Sequence, residues 1–575
     1  EITGDKNDNV ISSGSGDDIL RGGAGDDTLN AGAGNDFLYG EQGDDTLILG
    51  GSGYTVFDGG EGNDTVYVGL HSSREATYIV DFINGIYREP TEVDDPRYDT
   101  FTNVENFEIS NTDNDVIMTG DDNDNVLTTD IGNDVIDGGA GDDTLNAGSG
   151  DNHLIGGEGN DTLILGGSGD SILDGGAGID TFKVNLSNWS PSIETYPDPF
   201  DYENNNGFVY KVNLTEQFAG SKFDPNAKNN DTLIDIENID YTGLYNTELT
   251  GNINDNVIIG ASGDDILKGG DGNDILSSGD GNDFIYGDNG NDTLILNGSG
   301  EQTFDGGEGL DIFKIDHVNW TGTLNLDYEQ IIEIDLVAGI SGQKGNASLR
   351  DTLTDIEHII YEGSVDVEMA GDGNNNIIKS DAGSDILRGG DGNDVLKSGD
   401  GNDIIYGDEG NDVLILNGSG EQTFNGGEGI DTFKIDHVNW TGTLSPDFDQ
   451  IIEIDLVNGI SGQKGNPSLR DTLISIENIT YRGYTNVEIT GDAGNNIIRS
   501  AAGDDVINAG DGDDYINSGR GYDLIATGGG SDTILLRQEQ SSYTIETTKT
   551  ITDFVKGEDQ LALHGLSFGD ISISQ

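Results

Sequence analysis

A leucine recurs every nine positions near the start of the chain, at Leu20, Leu29, Leu38 and Leu47, each in a short step between glycine-rich polar turns. An isolated apolar side chain between outward-facing neighbours predicts a strand of about three residues with one inward position. Such a strand buries too little to stand alone. Successive strands must therefore stack, about 4.8 Å apart, around a narrow core. The intervening residues complete a unit G-G-x-G-x-D-x-U-x, with U apolar, as in "GGAGDDTLN".

The unit recurs in five blocks. Its sixth position is Asp18, Asp27, Asp36, Asp45, Thr55 and Asp64 in the first and Asp134, Asp143, Asn152, Asp161, Ser171 and Asp180 in the second. The third has Asp265, Asp274, Asp283, Asp292, Gln302 and Asp311, and the fourth Asp385, Asp394, Asp403, Asp412, Gln422 and Asp431. The shorter fifth has Asp505, Asp514, Asp523 and Asp532. Of 28 units, 23 carry aspartate there, whereas position five exchanges Asp17, Asn35, Asn273, Tyr54, Ile179 and Leu310. Position five therefore asks for a turn conformation, and position six for the carboxylate itself. A hard cation explains that need, because calcium takes six to eight oxygens from carboxylates and backbone carbonyls. Glycines let the turn close tightly enough to aim its carbonyls inward. In four blocks the fifth unit arrives one residue late and lacks the aspartate; a weak or absent ion and a strand bulge are expected there.

Between the blocks lie spacers of 60, 75, 64 and 64 residues. Segments such as "TFKIDHVNW" and "QIIEIDLVAGI" mix alternation with short apolar runs, and so read as strands. The expected order is roll 1 at 1–64, a β spacer at 65–120, roll 2 at 121–180, a spacer at 181–250 and roll 3 at 251–311. A spacer at 312–370, roll 4 at 371–431, a spacer at 432–490, roll 5 at 491–536 and a C-terminal β segment at 537–575 follow. Each spacer closes with a segment like "DTLTDIEHIIYEG", and the unit before each block ends in Asn9, Asn125, Asn256, Asn376 or Asn496. Trp189, Trp320 and Trp440 each stand nine residues after a block's last aspartate, suited to packing a spacer on a roll or, less simply, to stacking on a sugar ring.

Charge sharpens the picture. With 25 basic and 109 acidic residues the net charge is −84, which repels nucleic acid and anionic membranes. Ninety glycines and that charge suit either a disordered chain or one folded around cations. About one divalent ion per motif aspartate, roughly 20 ions, would remove near half of the charge. There is no cysteine, hence no disulfide, thiolate metal site or cysteine nucleophile. No apolar run reaches the length of about 20 residues that spans a bilayer. H-E-x-x-H and G-x-S-x-G in a strand-to-helix setting are missing, and no enzyme is expected.

The units "GGAGDDTLN", "GGDGNDILS" and "GGDGNDVLK" resemble the repeats-in-toxin (RTX) family of calcium-binding β-rolls. That resemblance implies an all-β array of right-handed parallel β-rolls joined by β-rich spacers, two units per coil, with several Ca2+ ions held between coils by the 23 aspartates. It pairs Asp18 with the turn of Asp36 and Asp27 with that of Asp45. "TITDFVKGEDQLALHGLSF" resembles the segment after the last roll in type I-secreted members, which implies export without an N-terminal signal and an extracellular or cell-surface location. Near-duplicate spacers, both with "GISGQKGN", favour a structural protein: a surface layer, an oscillin-like fibril or an adhesin. Self-association end to end into filaments, and polysaccharide as a partner, are the corresponding expectations. The alternative is the calcium-dependent folding and secretion region of an exported enzyme or toxin whose catalytic part lies elsewhere.

Overall fold

In the computed structural model the structure describes residues 1–69, 77–88, 98–110, 113–185, 209–221, 230–317, 324–326, 328–347, 350–436, 444, 449–467, 470–537 and 549–565. Trp189, Trp320 and Trp440 lie outside them. Among the described residues the regular elements are strands alone. The chain divides into two compact units, Glu1–Asp292 and Thr293–Gln575.

Each nonapeptide gives one strand, and successive strands alternate between two facing sheets. In the first unit, Ile19–Ala24 pairs in parallel with Phe37–Gln42, which pairs with Val56–Glu61. The opposite sheet runs Val10–Ser12, Thr28–Asn30, Thr46–Leu49 and Thr65–Gly69, again parallel. The offset is 18 residues, two units per coil, so equivalent positions stack: Leu20 on Leu38, and Leu29 on Leu47. These side chains, with Phe57 and Val66, have no exposed surface. The core is thus one apolar side chain per strand, and stacking supplies what three residues cannot.

The late fifth unit keeps its strands intact. From Thr46 to Leu49 the offset to the next coil is 19, and Val56–Glu61 holds the same 19 to the coil before. The extra residue is absorbed between Leu49 and Val56, in the turn, so the expected strand bulge is not where the insertion goes. A turn offers more backbone freedom than a strand paired on both edges.

The spacers join the same sheets. Asp99–Thr102 pairs in parallel with Val56–Glu61, and Asn106–Ser110 bridges Thr65–Gly69 and Val126–Thr128. Between Asp99–Thr102 and Val116–Thr119, one sheet takes in an antiparallel hairpin, Tyr78–Asp81 with Ile86–Arg88. The hairpin packs an aromatic cluster, with Phe82 and Phe101 ring centroids 4.9 Å apart. Within the second unit, the spacer strands Ile332–Asp335, Ile340–Gln343 and Arg350–Thr354 repeat this arrangement, as do Ile452–Asp455, Ile460–Gln463 and Arg470–Ile474.

Candidate metal centre

The turn before each strand places the position-six carboxylate inside the roll. Of the 23 predicted ligands only Asp18 keeps appreciable exposure; the others are buried. In the buried ones, one oxygen of the side chain serves the backbone of the coil before. Asp36 Oδ1 accepts the Asp18 N–H at 2.8 Å, Asp45 Oδ1 that of Asp27 at 2.7 Å, and Asp292 Oδ1 that of Asp274 at 2.7 Å. The carboxylate thus reaches back one coil, as the pairing of Asp18 with Asp36 and Asp27 with Asp45 requires.

The second oxygen is different. Oδ2 of Asp27, Asp36, Asp45, Asp64, Asp143, Asp161, Asp180, Asp265, Asp274, Asp394, Asp412, Asp431 and Asp514 is buried with no donor. A buried anionic oxygen without a partner is costly. Burial pushes Asp64 up to about 7 and Asp265 to about 8, and the like charges of Asp45 and Asp283 add to it. Asp143, Asp274, Asp394 and Asp514 are likewise raised to about 7, chiefly by burial. Among the described residues no group of three or more His, Asp and Glu side chains gathers to hold a metal. Further oxygens must come from the backbone, and they are at hand. A methyl group at Gly22 would lie 2.3 Å from Asp27 Oδ2 and 2.7 Å from the Gly40 carbonyl oxygen. Gly138 has the same relation to Asp143 and Gly156, Gly269 to Asp274 and Gly287, and Gly389 to Asp394 and Gly407. The missing Cβ leaves a cradle between a carboxylate and a carbonyl, which is the oxygen set a hard divalent cation prefers.

The two edges of the roll differ. Turns leading into the sheet of Thr28–Asn30 carry glycine at position one through four blocks, from Gly22, Gly40 and Gly59 to Gly426. Turns leading into the hairpin-bearing sheet carry Ser13, Ala31, Thr129, Ala147, Ser278, Ser380, Ser398, Ser500 or Ser518, with Gly50, Gly166, Gly260, Asn297 and Asn417 completing that edge. There Thr129 Oγ1 donates to Asp134 Oδ2 at 2.6 Å, so this carboxylate is served by the chain. Asn152 keeps the backbone contact, accepting from Asp134 N at 2.9 Å, while its Nδ2 is buried without a partner. Gln422 Nε2 donates to the Gly399 carbonyl at 3.1 Å, placing an amide where a charged ligand is missing.

The sequence reading missed acids in the spacers. At the late fifth unit, Thr55 N donates to Asp99 Oδ1 at 2.6 Å, and Ser171 N to Asp231 Oδ1 at 2.9 Å. Gln302 and Gln422 donate in the same way to Asp351 and Asp471. On the glycine edge, Asp64, Asp180, Asp311 and Asp431 donate from their backbone to Glu105, Glu237, Glu357 and Glu477. The Asp and the Glu of one spacer, such as Asp99 and Glu105, are six residues apart in its closing segment. The "DTL" of "DTLTDIE" repeats the position-six-to-eight text of the nonapeptide, which was the available signal. Asn125, Asn256, Asn376 and Asn496 then resume the series, each donating to the next block's aspartate at 2.7 Å. His317 pairs with the Tyr361 hydroxyl at 3.0 Å, and His358 Nδ1 accepts from Ile377 N, so both serve the fold.

The RTX calcium-binding nonapeptide repeat family matches residues 12–47, 47–70, 128–163, 164–183, 241–276, 250–285, 259–294, 379–414 and 490–525. These segments fall on the turns whose carboxylates and carbonyls have just been described. The chain is an RTX repeat protein. Its fold is the all-β parallel β-roll expected of RTX repeats, and those repeats bind calcium. Comparison with curated proteins gave no match. Among the described residues of this RTX protein, no helix is long and apolar enough to cross a membrane.

Proposed function

We propose that this chain is an extracellular calcium-binding repeat protein with a structural role, which folds on calcium after export. The observation that carries the reading is the series of buried Oδ2 atoms without donors, which at Asp27, Asp45, Asp143, Asp161, Asp274, Asp394 and Asp412 face a glycine carbonyl across the gap left by a missing Cβ. The position-six aspartates and the glycine carbonyls of neighbouring coils would hold the ions. When bound, calcium supplies positive charge that cancels the repulsion of the stacked carboxylates. The chain's own part is to fix Oδ1 on the previous coil, to keep Oδ2 free of competing donors, and to exclude water with the leucine stack. Because the site does not exist in the unfolded chain, ion binding and folding are one process. A cytosol poor in calcium would then leave the chain extended for export, by a type I route, and calcium outside would fold it.

The role is read as non-enzymatic. Whole block-and-spacer units are duplicated 120 residues apart, which lengthens a scaffold; a catalytic centre is seldom installed twice. A surface layer, fibril or adhesin, with end-to-end association or polysaccharide binding, fits that reading. The second reading, the folding and secretion region of an exported enzyme or toxin, rests on the segment around "DFVKGEDQLAL". Far-UV circular dichroism and small-angle scattering with millimolar calcium and with chelator test the coupling. A chain equally β-rich and compact in both would overturn it.

A further inference from the structure

The last turn on the serine-bearing edge departs from every other turn of the fifth block. Leu524 pairs with Thr550, and Ile525 with Ile551, in parallel register. Thr550 N donates to the Asp523 carbonyl at 2.8 Å, just as Phe37 N donates to that of Asp18 at 2.9 Å within a roll. By register, therefore, Lys549 stands at position six of the next coil, where the roll would otherwise carry an aspartate. Its charge is the opposite of the one the repeat prescribes.

The lysine does not turn outward. Its Nζ contacts Asp523 Oδ2, the Gly519 carbonyl at 2.8 Å and the Gly521 carbonyl at 3.2 Å. The Lys549 side chain is 14% exposed and that of Asp523 is 0% exposed. Gly519, Gly521 and Asp523 are positions two, four and six of one nonapeptide. An ammonium is thus surrounded by one carboxylate and two glycine carbonyls. It offers donors where Asp36 and Asp265 on this edge have an Oδ2 with none.

We propose that the Asp523 turn is a cation site that the chain fills itself, the Lys549 ammonium standing where other turns take calcium, so that this coil closes without an ion. This rests on the reading that position-six turns bind calcium. The ligand class is a tethered primary ammonium, and three hydrogen-bond donors match three converging oxygens. The charge is part of the fold rather than of the solution, so the contact does not depend on calcium concentration. Asp523, expected from its motif to be a calcium ligand, becomes an ion-pair partner instead. On the opposite edge the series keeps its acid: Asp532 N donates to Asp559 Oδ1 at 3.2 Å, so the substitution belongs to one edge alone.

Two measurements on the full chain test the assignment. In saturating calcium, acylation by an amine-reactive ester followed by mass spectrometry should modify Lys549 at least about tenfold more slowly than exposed Lys6, because reaction requires local opening. The bound-ion count, measured by equilibrium dialysis, should rise by one in Lys549→Asp and stay unchanged in Lys549→Arg. A wild-type Lys549 that reacts as fast as Lys6 would overturn the proposal without reference to any variant. Equal ion counts in wild type and Lys549→Asp, with amide protection of 550–564 retained in both, would also overturn it and leave the calcium reading intact. A wild-type chain that binds no calcium would bring down both.

Discussion

Asp274→Asn separates charge from shape at a single turn. Asp274 is 1% exposed; its Oδ1 accepts from Asn256 N at 2.7 Å and its Oδ2 has no donor. The amide oxygen of asparagine can keep the first contact, as Asn152 does with Asp134 N. The amide nitrogen cannot ligate a cation, and its hydrogens face the side of the turn where the Gly287 carbonyl lies. One ion should be lost while the strand pairing of Ile275–Ser277 survives. An ion present at about 100 times its dissociation constant contributes about 2.7 kcal/mol, so calcium-saturated local stability should fall by about that amount. Without calcium the sign reverses. Asp274 is raised to about 7 because burial disfavours its charge, so the neutral variant should retain at least as much β structure as wild type in chelator above pH 7. Hydrogen exchange at the Asn256 amide, read in calcium and in chelator, gives both numbers. Equal losses in the two buffers, or an Asn273→Asp control that costs as much, would show that turn geometry alone selects the aspartate.

Acid should substitute in part for calcium. The folded carboxyls at Asp64, Asp143, Asp265, Asp274, Asp394 and Asp514 stand at about 7 to 8, above the ordinary value of 3.8. The fold therefore binds more protons than the unfolded chain between those limits. Its calcium-free stability is lost as pH rises through about 7 to 8 and regained as pH falls toward 4. Circular dichroism in chelator should show β signal growing from pH 8 to pH 5, and a signal that declines over that range would refute the argument. Gly269→Ala places a methyl 2.2 Å from Asp274 Oδ2 and 2.7 Å from the Gly287 oxygen; calorimetry should report one ion fewer although no charge has changed. Leu276→Ala, at a side chain with no exposed surface, should cost about 2–5 kcal/mol, read as a lower urea midpoint in calcium.

The nine-residue period was enough to give the short stacked strands and the inward leucines, because each unit repeats the same local instruction; the placing of two units in each coil followed from the RTX resemblance. Position six was legible because position five acts as its control within one chain. What the repeat could not disclose was anything set by the neighbouring coil. Asp134 looks like its fellows in sequence, but Thr129 beside it supplies a hydroxyl. Asp523 matches the motif, yet its partner is a lysine 26 residues further on, outside the repeat. Asp99 and Glu105 sit in a spacer of different length and text, and only strand register shows that they fill position-six places. The hairpin inserted in one sheet hides that register from a count of residues.

The glycine-edge series does not stop where the nonapeptides do. In the first unit it passes from Asn9 through Asp64 to Glu105, on to Asn125 by a 3.0 Å bond from its Nδ2 to the Glu105 carbonyl, and so to Asp180, Glu237 and Asn256. A spacer in that series is not a joint between rigid bodies. In a one-dimensional stack, what spreads melting from coil to coil is the coupling between neighbours, and here that coupling enters the spacer by the backbone-to-carboxylate contact used within a roll and leaves it by an asparagine amide on a glutamate carbonyl. Two blocks within a unit should therefore take up and release their ions as one cooperative front rather than as two independent loads. Under tension the chain should yield from a free edge inward, coil by coil, and a spacer should give no early step of its own.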